Sequence, residues 1–200
     1  MGLAGGGALA DIGSHALATA EYLCGPITRV MGDCVTMIGD RPDGQGGRRK
    51  VVVDDLARAF LRFENGALGS FLLSDTAACP RSWEQTSQEN KAYASYSDED
   101  CYVIAGTVGS LSVPTLRLKT YAQPQDRSWY QPFQCSTVDV SRQDPLVLQM
   151  AHFVDMIHNQ VAPRVSARDG LHNLWVVEAI VKASQTQQTV RLGLHGLQMD

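Results

Sequence analysis

The sequence predicts an α+β fold built on a largely antiparallel open β-sheet with helices packed on one face. The order of its segments says so: one helix, many short strands, two helices, then a last strand. Asn65-Gly66, a strong hairpin signal, joins two strand-like runs as neighbours. The Gly-rich opening, Gly2 and Gly5 to Gly7, neither follows a strand nor opens a βαβ unit, so no dinucleotide fingerprint is read there.

Composition narrows the classes. The 200 residues suffice for one domain with a real core, or one large and one small unit; 1–200 is read as a single domain. An apolar fraction of 44% with 19% charged residues is ordinary for a globular chain. A net charge of −4 advertises no basic face, which argues against nucleic acid as a partner. No apolar run approaches the roughly 20 residues that span a bilayer, and the opening has no basic region ahead of an apolar stretch. A cytoplasmic protein is therefore expected. The five cysteines are odd in number and none is spaced C-x-x-C, so each is read as a small buried apolar residue.

The elements follow in order. Leu9, Ile12, Ala16, Ala20 and Leu23 recur at helical spacing from Ala8 to Cys24, and Gly25-Pro26 stops that helix. The glycines before it read as a flexible lead-in. Ile27 to Ile38 is rich in β-branched residues and reads as a strand; Arg41 to Arg49 reads as a polar turn or loop. From Asp55 to Glu64 apolar and polar residues alternate, with Ala57, Ala59, Leu61 and Phe63 on one side and Phe60 intruding on the other. That apolar intrusion motivates a partner subunit on the open sheet face. After the hairpin, Ala67 to Leu73 is the return strand. Ser74 to Asp100 is a long polar stretch, read as a functional loop because Trp83, Tyr93 and Tyr96 argue against plain disorder. Strands resume at Cys101 to Ala105, Leu111 to Val113, Leu116 to Tyr121 and Phe133 to Val140.

Two amphipathic helices come next. Asp144-Pro145 is a capped start for the first, whose apolar stripe is Leu146, Val147, Met150, Phe153, Val154 and Ile157. Ser166 and Asp169 form a capping-box pair for the second, with Leu171, Leu174, Val177, Ile180 and Val181 facing the core. A short strand, Thr189 to Leu192, follows.

Asp11 and His15 are the sharpest chemical feature. Four residues apart on a helix, they project from one face about a turn apart, close enough to serve one substrate hydroxyl. Gly13 between them would let a ligand approach the backbone. By itself D-x-x-x-H more readily describes a structural pair on a solvated face. A metal site lacks a third ligand at helical spacing, and a metal-dependent lyase or isomerase is kept only as a third class. Trp83 suits stacking on a sugar ring, or covering core.

At these residues a family resemblance enters. GGGALADIGSHALATAEYLCG from Gly5 resembles the G-x-x-x-D-x-G-x-H segment of the glucose–fructose oxidoreductase, inositol dehydrogenase and rhizopine-catabolism (Gfo/Idh/MocA) family. DDLARAFLRFENGALGSF, AGTVGSLSV, DPLVLQMAHFVDMI and SARDGL echo the same family in order, and only its C-terminal domain. The resemblance implies an open-sheet, substrate-binding and oligomerising domain of an NAD(P)-dependent oxidoreductase acting on a sugar, inositol or related polyol. It implies hydride transfer, with His15 as the proton-transfer residue and Asp11 as the acid that orients substrate and tunes it. Arg81, Trp83 and Asn90 of the long loop are read as covering the sugar. The NAD or NADP would sit on an N-terminal Rossmann domain absent from this sequence, together with the lysine of an E-K-P motif. No cofactor or metal is therefore expected on this chain alone, nor activity. Many relatives carry Asp three residues after the histidine, where Ala18 stands here. The alternative is a non-catalytic binding or oligomerisation module derived from the family.

Overall fold

The computed structural model describes residues 6–89, 91–141, 143–193 and 196–199, the last stretch for its backbone alone. It divides into two compact units, one made of residues 1–77 and 164–200 and the other of residues 78–163. The first begins with a π-helical turn, Leu9–Gly13, that runs into α1, Ser14–Cys24. Gly25, at φ 88°, ends α1 in a conformation that a side chain would strain. β1 (Ile27–Val35) follows, then a small hairpin of β2 (Asp40–Pro42) and β3 (Arg48–Lys50) where the sequence reads as loop. Gly44 and Gly46, both at positive φ, make that reversal. β4 (Leu56–Phe63) and β5 (Leu68–Ser74) are the expected antiparallel pair.

β4 shows why the alternation was informative. Ala57, Ala59, Leu61 and Phe63 are buried, while Arg58, Phe60 and Arg62 face solvent. Asn65 serves two elements at once: its amide oxygen accepts from Ala67 N–H at 2.9 Å and its amide nitrogen donates to the Cys24 carbonyl at 2.8 Å. The hairpin turn thereby also satisfies an orphan carbonyl at the end of α1. Asp55, fully buried, accepts from the N–H groups of Met37 and Ile38 at 2.6 and 2.9 Å and from Arg41 at 3.0 Å. It pins β4 to the start of the β2–β3 hairpin.

The second unit holds a one-turn helix, α2 (Trp83–Thr86), capped by Ser82, inside the stretch read as loop. β6 (Tyr102–Ala105), β7 (Gly109–Val113), β8 (Arg117–Thr120) and β9 (Gln134–Thr137) form an antiparallel sheet in sequence order. Asp100 braces it, accepting from the N–H and hydroxyl of Thr115 and from Arg117. α3 (Pro145–Asn159) starts as expected, with the Asp144 carboxylate accepting from Leu146 and Val147 N–H. Its apolar stripe, however, is exposed along its whole length.

α4 (Ala167–Thr186), β10 (Val190–Gly193) and β11 (Gly196–Met199) return to the first unit. The five-stranded sheet there has the order β11-β10-β1-β4-β5, with every pairing antiparallel. Ser166 and Asp169 form the expected capping box. Val176, Val177, Ala179, Ile180 and Ala183 pack onto the inner sheet face. The approach is close: a methyl on Gly32 would stand 3.1 Å from Ile180 and 2.6 Å from the Arg58 carbonyl. Leu171 and Leu174, expected in this core, are exposed instead, because the first turns of α4 lie beside α1. All five cysteines are unpaired; Cys24, Cys34 and Cys101 are half-buried, but Cys79 and Cys135 are exposed, unlike the buried residues expected.

Candidate functional site

The turn that carries Asp11 is built by two residues, Gly7 and Asp54. Asp54 accepts from Leu9 N–H through its carboxylate at 2.8 Å and from Ala8 N–H through its carbonyl at 2.9 Å. A methyl on Gly7 would stand 2.5 Å from that carbonyl oxygen and closer still to the carboxylate. Gly7 is therefore a buried contact point rather than a flexible lead-in. The same arrangement decides the fit of a dinucleotide. The N–H groups a pyrophosphate would need at this helix start are already used by Asp54, whose charge would repel it. The strands among the described residues pair antiparallel, so they build no parallel βαβ cradle for a dinucleotide behind this turn.

From this anchor the helix places Asp11 and His15 at exposed positions, four residues and about 6 Å of rise apart. The π-helical turn ends at Gly13, between them. π turns sit inside helices at functional sites more often than elsewhere, and they leave carbonyls out of register with the next turn. Side chains attend carbonyls of the turn and of the start of α1. Ser14 donates to Asp11 O at 2.8 Å, Thr19 to His15 O at 3.0 Å, and Asn173 of α4 to Ser14 O at 3.0 Å. One turn on, His172 Nε2 stands 2.9 Å from the Glu21 carboxylate, without the geometry of a directed hydrogen bond. Among the described contacts the side chains of Asp11 and His15 make no hydrogen bond or ion pair with each other. Gly13 does not face a ligand: it is buried, and a methyl there would meet Leu9 at 2.9 Å and Leu73 at 3.1 Å. Its smallness seats the helix on β5.

In the second unit Trp83 lines an open cleft of about 570 Å³ with Glu89, Lys91, Leu116, Gln143 and Asp144. The volume lies in the range of small-molecule sites. The Trp83 indole donates to Glu89 at 2.8 Å and meets Tyr102 edge-on at 6.3 Å. Sequence reasoning singled out Trp83 but missed Glu89, Lys91, Gln143 and Asp144. Only the capping role of Asp144 was legible, because the cleft brings together segments more than fifty residues apart. Arg81 is not among the residues lining this cleft and pairs with Glu99 at 3.3 Å. Asn90 and His195 lie outside the described residues. Among the described residues no cluster of His, Cys, Asp or Glu could hold a metal.

Comparison with known proteins agrees with this architecture. A family described as "Oxidoreductase family, C-terminal alpha/beta domain" matches residues 2–192. The chain belongs to the Gfo/Idh/MocA oxidoreductase family. Levoglucosan dehydrogenase of Pseudarthrobacter phenanthrenivorans is 37% identical over 81 residues, 34% of this chain and 21% of that protein. A solved levoglucosan dehydrogenase in complex with NADH and L-sorbose superposes with a TM-score of 0.70 at 22% identity, over 94% of this chain and 51% of that one. An oxidoreductase domain protein from Kribbella flavida gives 0.69 at 22% identity over the same shares. At such identities the structural likeness is one of fold. The chain spans about half the length of these solved family members. No helix among the described residues is long and apolar enough to cross a membrane.

Proposed function

We propose that this chain is the substrate-binding half of an NAD(P)-dependent oxidoreductase that oxidises or reduces a hydroxyl-bearing carbon of a sugar, inositol or related polyol. The observation that carries the reading is the anchored π-helical turn, which presents Asp11 and His15 at exposed positions. His15 accepts the hydroxyl proton on oxidation and returns it on reduction, since an imidazole exchanges protons near neutral pH. Asp11 accepts a hydrogen bond from the substrate hydroxyl and supports the imidazolium. The NAD site belongs to another half of the complete enzyme. The family, and the NADH and L-sorbose in a solved relative, support the reaction class and the sugar class.

Arg81, Trp83 and Asn90 are proposed to contact the sugar. Trp83 carries most of that proposal, because its cleft offers an aromatic face beside Glu89, Lys91 and Asp144, groups that hydrogen-bond hydroxyls. The outer face of the five-stranded sheet, where Met31, Phe60 and Leu72 surround a shallow hollow of about 250 Å³, is proposed to seat a second copy. Five unpaired thiols suit a reducing compartment, and we place the protein in the cytoplasm.

His15→Ala in the complete enzyme tests the reading: turnover falls about 10²–10⁴-fold while polyol binding persists. Unchanged turnover removes His15 from the mechanism. The alternative, a binding or oligomerisation module without catalysis, is favoured by Ala18, where relatives place an acid. Polyol binding with no turnover in any cofactor-supplied assembly would select it.

A further inference from the structure

Asn65 is the one asparagine of the sequence that a glycine follows, and both residues of the pair are exposed. An asparagine in this setting carries its own reaction partner. The backbone nitrogen of the next residue can close a cyclic imide on the side-chain amide carbon, and glycine, having no Cβ, obstructs that approach least. The folded chain holds both reacting groups in other bonds. The leaving nitrogen, Asn65 Nδ2, donates to the Cys24 carbonyl at 2.8 Å, and the amide oxygen accepts from Ala67 N–H at 2.9 Å. The attacking nitrogen, that of Gly66, donates to the Phe63 carbonyl at 3.0 Å in a tight loop whose Gly66 stands at φ 88°.

We propose that Asn65 is a self-modification site latched by the end of α1: it stays intact while its amide holds the Cys24 carbonyl, and its conversion leaves that end unlatched. In the reaction Gly66 N gives its proton to hydroxide and attacks Asn65 Cγ. The N–Cγ bond forms, the Cγ–Nδ2 bond breaks, and ammonia leaves. Water then opens the imide at either carbonyl, giving aspartate or isoaspartate; one water is consumed, one ammonia is released, and nothing is oxidised or reduced. The product cannot restore the latch. A carboxylate has no N–H to give Cys24, and it brings negative charge to a helix end that already carries about half a negative charge. The Glu21 carboxylate stands at that end too, accepting from Ile27 N–H at 2.9 Å. Isoaspartate also lengthens the backbone within the turn, which displaces Ala67 from Phe63, its hydrogen-bond partner at 3.0 Å. α1 is the helix on which His15 stands, yet the inference needs no reading of what that residue does.

Ageing the 200-residue chain in mildly alkaline buffer, with peptide mapping of the Asn65-Gly66 pair by mass spectrometry, tests it. Conversion in the folded chain runs at least about tenfold slower than in the same chain unfolded in urea, because the bonds to Cys24, Ala67 and Phe63 must open first. Equal rates overturn the latch, and no conversion in the unfolded chain overturns the site. Gly25→Ala strains the φ 88° end of α1, where the new methyl would stand 4.0 Å from Asn65 Nδ2. It speeds conversion in the folded chain at least about threefold, and an unchanged rate overturns the latch. Where that variant does not fold, the wild type is aged in urea below its global transition. Conversion that rises with hydrogen exchange at residues 20–25 supports the latch; conversion that waits for global unfolding overturns it. Converted chain, separated by ion exchange, exchanges the amides of residues 20–25 at least about tenfold faster than intact chain, while β10 stays protected. Equal exchange overturns the unlatching, and so does a loss of protection that extends to β10.

Discussion

Replacing Gly7 with alanine adds one methyl where Asp54 already stands. With no positive φ at Gly7, an alanine in open space would stabilise the chain by about 0.4–1 kcal/mol by restricting the unfolded state. Here the sign reverses. The methyl would lie 2.5 Å from the Asp54 carbonyl oxygen, so the Ala8 and Leu9 hydrogen bonds cannot both survive. Losing the charge-assisted bond from Leu9 costs about 1.5–3 kcal/mol. Crowding the buried position adds about 1–3 kcal/mol. A net loss of about 2–5 kcal/mol lowers the thermal midpoint by roughly 4–20 °C at this chain length. Circular dichroism melts of the wild type, Gly7→Ala, Asp54→Ala and the double variant form a cycle. Asp54→Ala alone costs about 1.5–3 kcal/mol, the charge-assisted bond from Leu9. The double variant recovers part of the methyl's penalty, since the carboxylate is gone but the carbonyl remains, a coupling of about 0.5–3 kcal/mol. A neutral or stabilising Gly7→Ala would refute the anchoring of the Asp11 turn.

Three further outcomes are expected. The Asp55 carboxyl is raised by burial, yet the N–H groups of Met37 and Ile38 and the Arg41 guanidinium outweigh that and hold it below the ordinary range. A carboxyl so depressed stabilises the fold above its unfolded value of about 3.9 and loses that contribution as pH falls through the folded value. The urea midpoint therefore drops on acidification below about pH 4, and it drops less in Asp55→Asn, which is weaker at pH 7; identical profiles would contradict this. Asn65→Ala removes two hydrogen bonds and costs about 1–3 kcal/mol, whereas Asn65→Asp, which keeps the acceptor, costs about half as much. Equal losses would deny Asn65 its helix-ending role. The proposed seat for a second copy on the exposed sheet face predicts that the chain self-associates in sedimentation velocity and that Phe60→Asp weakens this at least about tenfold without lowering the melting midpoint; a monomeric wild type or undiminished association would refute that seat.

Much of the first unit was legible because its signals are local. Alternation in β4, the Asn65-Gly66 turn, the Gly25 stop and the Ser166–Asp169 box each act within a few residues, and each appears where its chemistry predicts. The candidate site was legible only as a spacing. What holds Asp11 in place is Asp54, 43 residues away, and no local pattern announces that Gly7 must admit a distant carboxylate. The same holds for the Trp83 cleft, assembled from three separated segments. α2 and the β2–β3 hairpin were hidden by short polar sequences, in which one capping serine or two glycines decide the backbone. Leu171 and Leu174 misled for the opposite reason: helical spacing predicts a face, and only the tertiary neighbours, here α1 beside the first turns of α4, decide how much of it is covered.

β1 lies between β4, which follows it within some thirty residues, and β10, which comes about 160 residues after it. The helix that lids their inner face, α4, is equally late. At about 5–20 residues per second, translation from the end of β5 to the start of β10 takes roughly 6–23 s. Through that interval Ala57, Leu61 and Phe63 have neither lid nor complete sheet, so the nascent chain carries a sticky half-sheet that a ribosome-associated chaperone would shield. Residues 78–163 are spooled out during the wait, and the first unit closes only when α4 emerges.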